Sequence, residues 1–155
     1  MKKIKEIRVK NFKAFQQEQV FTINGKHVLV YGNNGSGKSS LFWALYTLLQ
    51  SSIKEDDGVK KYFKKYVASN KATHQTLKNV FMDENENSFI KLTSIDTDTK
   101  HEETFTISHD LINTNDDANT LIQELNLASD FINYKLLHNF YRASHKQEVN
   151  LWPVF

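Results

Sequence analysis

Apolar positions along the chain change period several times, and each change marks an element. Between Ile4 and Phe12 they fall at 4, 7, 9 and 12 with charged residues among them, which predicts a strand over 5–12 with one buried face. Val20-Phe-Thr-Ile23 reads as a second short strand, and Asn24-Gly25 after it is the strongest tight-turn dipeptide in the sequence. His27-Val-Leu-Val-Tyr31 is a nearly continuous aliphatic run, the pattern of a strand buried on both faces. From Ser39 the apolar residues move to 41, 42, 44, 45, 48 and 49, an apolar helix with a wide buried face.

Val59, Tyr62, Phe63, Tyr66 and Val67 recur at helical spacing and predict a second amphipathic helix, with Lys60, Lys61, Lys64 and Lys65 on its other face. Residues 88–95 and 103–108 alternate at period two around Asp96-Thr-Asp-Thr-Lys-His101, an antiparallel hairpin. Helical patterns return over 117–126 and 130–142, the latter with Ser129 placed to cap it. The order β, β, β, glycine-rich loop, α, α, hairpin, α, α predicts an α/β chain: a mixed sheet with an antiparallel annex and flanking helices.

A length of 155 residues fits one domain or a piece of a larger one. Eleven Phe, six Tyr and two Trp supply enough burial to exclude intrinsic disorder. Zero cysteines exclude a disulfide framework, a cysteine zinc site and a thiol nucleophile. No apolar run reaches a membrane span and residues 1–6 lack a signal-peptide core, so a cytoplasmic location without membrane contact is expected.

The net charge of +2 conceals a division. Residues 1–82 carry fifteen Lys/Arg against five acids, and residues 83–130 carry two against twelve. A basic half beside an acidic half fits either a polyanion partner or two faces that attract each other. The lysines at 60, 61, 64 and 65 are the nucleic-acid candidates, set against an ordinary solvated helix face. The six histidines lack metal-ligand spacing and read as solvated or hydrogen-bonded.

Three of the five glycines fall within six residues, in Gly32-Asn33-Asn34-Gly35-Ser36-Gly37-Lys38-Ser39. This run satisfies G-x-x-x-x-G-K-[ST] and lies between an expected strand and an expected helix. Glycines let main-chain amides approach phosphate oxygens, and the helix start adds unsatisfied N–H groups. Lys38 is a point charge able to reach β and γ phosphates, Ser39 offers a hydroxyl to Mg²⁺, and Ser40 is a candidate for the α-phosphate. The loop alone does not choose between ATP and GTP.

Ile7-Arg-Val-Lys-Asn-Phe-Lys-Ala-Phe15, followed by Val30-Tyr-Gly-Asn-Asn-Gly-Ser-Gly-Lys-Ser-Ser-Leu41, resembles the N-terminal segment of the SMC/RecF/RecN class of ABC-type ATPase heads. Such heads serve chromosome maintenance, DNA repair and phage defence. The resemblance is specific over about residues 4–49. It implies a P-loop NTPase fold, ATP with Mg²⁺ on Asn34 through Ser40, and Lys10, Asn11 and Lys13 near the adenine or α-phosphate edge. It also implies a Q-loop glutamine, for which Gln147 is the late candidate. No Walker B run, Ser-Gly-Gly signature or D-loop is found in the sequence. The resemblance therefore implies that residues 1–155 are the N-terminal lobe of an incomplete head. Its partners would be the C-terminal half, a second head in an ATP sandwich, and double-stranded DNA. Hydrolysis would need the C-terminal half. The alternative function is a nucleotide-gated regulatory module that controls a partner nuclease or toxin with little hydrolysis.

Overall fold

The computed structural model describes residues 1–110 and 120–132. Four strands, β1 (Lys2–Lys10), β2 (Gln19–Thr22), β3 (Phe89–Asp96) and β4 (Glu102–Ser108), form one sheet in the order β2-β1-β3-β4. Every pairing among them is antiparallel. The expected mixed sheet is thus corrected to an antiparallel one among the described residues. Three helices accompany it: α1 (Lys38–Gln50), α2 (Asp56–Lys60) and α3 (Thr120–Leu127).

Alternation decides which face of the sheet is covered. Ile7 and Val9 of β1, Ile90 and Leu92 of β3, and Phe105 and Ile107 of β4 are buried together. Leu41, Ala44, Leu48 and Leu49 of α1, with Leu121 and Ile122 of α3, join the same core. Phe12, Val59 and Phe63 complete it. The register of β1 shifts between Ile4 and Glu6. The bulged Lys5 turns its carbonyl to both Ile23 and Asn24 amides (2.8 and 2.9 Å), which anchors the turn after β2. At that turn Asn24 and Gly25 both have positive φ (52° and 66°), as the dipeptide predicts.

The two charged halves meet inside the sheet. Lys2 pairs with Glu103 and Lys5 with Glu102, each at 2.7 Å, so the basic β1 reaches across β3 to the acidic β4. The amino group of Met1 lies 2.8 Å from Asp98 and 3.4 Å from Asp96, in the β3–β4 turn. Part of the charge division is therefore mutual attraction within the fold.

Several expectations change. His27–Tyr31 is not in the sheet, and Leu29 and Tyr31 are 86% and 87% exposed. The aliphatic run that reads as doubly buried has no strand beside it among the described residues, because β1 takes β2 and β3 as its neighbours. The helix expected over 59–67 is split. The α2 helix stops at Lys60, a single 3-10 turn covers Lys61–Phe63, and Lys64 is extended. Ser129 donates to the Leu125 carbonyl and so closes the C-terminal end of α3 instead of capping a following helix. Residues 130–132 are not helical; the rest of the helix expected over 130–142, and Gln147, lie outside the described residues.

Candidate functional site

The glycine-rich loop leads into α1, and its conformation follows from its glycines. Gly35 and Gly37 have φ of 85° and 90°, a region that residues bearing a Cβ rarely occupy. Gly37 is also the residue that precedes the first turn of α1. It is buried, and a Cβ there would stand 2.6 Å from Cε1 of Phe15. The carbonyl of Gly37 accepts the Ser40 and Leu41 amides (2.9 and 3.0 Å), so helical hydrogen bonding starts at once. The amides of Gly35, Gly37, Lys38 and Ser39 bond to no acceptor among the described residues. Those free donors and the helix dipole make the loop a site for an anion.

Lys38 brings its ammonium back over the loop. Its Nζ donates to the Gly32 and Asn33 carbonyls, each at 2.7 Å. The charge is thus tied to the start of the loop, at Gly32 and Asn33, and the free amides follow from Gly35 onward. Ser39 is exposed, whereas Ser40 is buried and its Oγ accepts the Ala14 amide at 3.1 Å.

That last contact explains the segment after β1. Phe12 and Phe15 exchange reciprocal main-chain hydrogen bonds of 2.9 Å and close a tight turn around Lys13 and Ala14. Phe12 enters the core against Phe63, and Phe15 packs on Phe21 with its ring against Gly37. The turn thus supports the loop from behind. Asn11 and Lys13 have positive φ (49° and 48°), the less common conformation for a residue with a side chain. Lys13 is held there by its amide to the Leu77 carbonyl (2.7 Å) and by its carbonyl to Asn79 Nδ2 (2.6 Å).

Of the three residues expected at the adenine or α-phosphate edge, the structure separates one from the others. Asn11 is fully buried and donates to the Glu86 carbonyl at 3.2 Å, so its assignment to cofactor binding is corrected to a structural one. Lys10 ends β1. Lys13 places its ammonium 5.7 Å from the Trp43 ring centre on α1, a cation–π contact. Lys13, Ala14 and Ser40 also line a groove of about 380 Å³ whose far side includes Asn79, Val80 and Phe81. Phe81 is largely exposed there. No sequence signal marks Asn79 and Phe81, since neither belongs to a motif.

The four candidate lysines do not share a face. Lys60 lies 3.9 Å from Asp56 on its own helix, and Lys61 sits over the Tyr62 ring at 5.2 Å. Lys64 and Lys65 follow the break and line a separate groove of about 680 Å³ with Lys78. A single lysine stripe is therefore corrected to two separate pairs, in which only Lys64 is exposed, because α2 ends early. Lys78 is 7% exposed, donates to the Glu84 carbonyl at 2.7 Å, and has its pKa pushed below the usual lysine value, chiefly by burial. Among the described residues no His, Asp and Glu cluster could cage a metal, and no helix is long and apolar enough to cross a membrane.

A family model described as an AAA domain matches residues 6–151. The chain belongs to the AAA-domain family. Membership makes this a nucleotide-binding domain of ATPase type and implies nucleotide binding, typically with Mg²⁺. No curated protein matches the AAA domain described here.

Proposed function

We propose that this AAA domain is the ATP-binding N-terminal lobe of an SMC/RecF-like, P-loop ATPase head. The observation that carries the reading is that one glycine-rich loop holds both main-chain amides without acceptors among the described residues, at Gly35, Gly37, Lys38 and Ser39, and the Lys38 ammonium, bonded to the Gly32 and Asn33 carbonyls. The residues fit a nucleotide–Mg²⁺ complex. The phosphates would be held by the free amides at Gly35, Gly37, Lys38 and Ser39 and by the Lys38 ammonium, and the metal by the Ser39 hydroxyl with phosphate oxygens and water. When bound, Mg²⁺ supplies neutralisation of the phosphate charge. The groove between Lys13, Ser40 and Phe81 begins beside the α1 N-terminus, and we assign it to the nucleoside, with the Phe81 ring as a stacking surface. This placement favours a role for Lys13 over one for Asn11.

Binding and turnover are separate in this proposal. Lys38 and the loop can hold and orient phosphates, but hydrolysis also needs a carboxylate for the metal and a group that orients water. Both would come from a C-terminal half, which we place against the exposed run Val28–Tyr31, since an exposed aliphatic segment without a strand partner among the described residues is suited to sheet addition. A second head in an ATP sandwich and double-stranded DNA complete the proposed partners. DNA repair, chromosome maintenance or phage defence is the proposed setting. The test is phosphate release by the 155-residue chain with Mg²⁺-ATP, alone and with added C-terminal half. Turnover only in the mixture, abolished by Leu29→Asp, is expected. Turnover by the chain alone that Lys38→Ala abolishes would place a catalytic carboxylate within it and overturn the division.

A further inference from the structure

The larger groove, of about 680 Å³, is lined by parts of the segments 63–73, 78–88 and 109–110, and contains none of the loop residues 32–40. Its volume suits a small ligand. Lys64, Lys65 and Lys78 line it together with the acidic residues Glu84, Glu86 and Asp110. Neither Lys64 nor Lys65 forms an ion pair among the described residues. Lys78 is the informative member. It is more than nine-tenths buried, yet its ammonium meets one acceptor, the Glu84 carbonyl, and two of its three N–H donors have none among the described residues. Glu84 and Glu86 stand near enough to act on its charge, and the spare donors of a largely buried lysine suit an anion that supplies further acceptors. Asn70 adds a further donor, since its Oδ1 already accepts the Ala72 amide and leaves the amide nitrogen open.

We propose that this groove is a second ligand site that takes a small phosphate monoester bearing hydroxyl groups, such as a phosphorylated sugar. The phosphate would lie on Lys64, Lys65 and Lys78, and the hydroxyls would donate to Glu84 and Glu86. The acidic residues argue against a nucleic-acid strand, because a continuous phosphodiester would meet them as well as the lysines. They are an advantage for a ligand with a phosphate at one end and hydroxyls at the other. The inference rests on this groove alone and is independent of nucleotide binding at Lys38.

The experiment uses the full 155-residue chain carrying Lys38→Ala, so that the glycine-rich loop cannot account for the signal. Ribose 5-phosphate, inorganic phosphate and unphosphorylated ribose are titrated and followed by amide NMR shifts. Saturable shifts at Lys64, Lys65 and Asn70 are expected with ribose 5-phosphate, a weaker response with inorganic phosphate, and none with ribose. Adding Lys64→Glu and Lys65→Glu, two positions outside the core, should raise the ribose 5-phosphate Kd at least about tenfold, with an unchanged melting curve. Loss of all binding in Lys38→Ala alone, or indifference to the lysine reversals, would overturn the proposal. Binding of a duplex oligonucleotide at these residues without binding of ribose 5-phosphate would overturn it in favour of a strand-binding groove.

Discussion

Phe15 and Gly37 are fitted to each other: the Phe15 ring occupies the space that any side chain at position 37 would need, with its Cε1 atom 2.6 Å from where a Cβ would stand. The contact joins the turn after β1 to the first residue of the α1 N-terminus. Gly37→Ala therefore meets both a steric conflict and a φ of 90°. A loss of about 1–3 kcal/mol in folding stability is expected, together with weakened nucleotide binding. Phe15→Ala in the same chain should recover part of the stability, since it opens the space but leaves the backbone conformation unfavourable. Denaturant unfolding of the two single mutants and the double mutant checks this, and strict additivity would show that ring and glycine do not oppose each other.

Ser40 offers a second view of the same joint. Its buried hydroxyl oxygen accepts the Ala14 amide. Ser40→Ala would leave that amide without an acceptor, at a cost of about 1–3 kcal/mol. Ser40→Thr keeps the oxygen and should lose less. Equal unfolding midpoints for wild type and Ser40→Ala would remove the hydroxyl from the stabilising contacts.

The ion pairs that carry β1 charge across to β4 are half-exposed, and their individual contributions should be small. Lys5→Ala is expected to cost less than about 1 kcal/mol, reduced further in high salt. Lys5→Glu should cost more, by placing a third carboxylate beside Glu102 and Glu103, and Glu102→Lys should restore it. A measurement in which the swapped pair stays as unstable as the single reversal would contradict the cross-strand attraction.

At the β3–β4 turn Asp96 accepts the Asp98 and Thr99 amides at 2.8 and 3.1 Å, and these hydrogen bonds hold its pKa below the ordinary carboxylate value. A depressed folded-state pKa contributes stability at pH values above the unfolded pKa, and that contribution is lost as pH falls through the folded value. Asp96→Asn should therefore flatten the loss of melting temperature as pH falls below the ordinary carboxylate range, about pH 4. An acid limb as steep as that of wild type would assign the dependence to other carboxylates.

The glycine-rich loop was legible in the sequence because its chemistry is local: three glycines, Lys38 and Ser39 at fixed spacing need no distant residue to be understood. The hairpin was legible for the same reason, since alternation over 88–95 and 103–108 registers each strand with its neighbour. His27–Tyr31 misled because an aliphatic run reports a tendency to be covered, not what covers it. Asn11 misled because a residue within a motif can serve the fold that carries the motif: its amide supports the Glu86 carbonyl. The Lys60–Lys65 stripe failed where periodicity continued past Phe63 but the backbone turned extended at Lys64. The contribution of Asn79 and Phe81 to the groove beside Ser40 depends on a loop folding back some forty residues later, which no local pattern encodes.

Calorimetric titration of Mg²⁺-ATP into the wild-type chain and into Lys38→Ala tests the central claim most directly. In the proposed site the Lys38 ammonium and the free amides of the loop would act on the same phosphates, so removing the charge should weaken binding by at least about tenfold, the scale of one charge-assisted contact. The melting curve should change little, because among the described residues the Lys38 side chain bonds only to loop carbonyls and the Ser36 hydroxyl. Equal ATP affinity in the two proteins, both folded, would contradict the assignment of the glycine-rich loop as the nucleotide site.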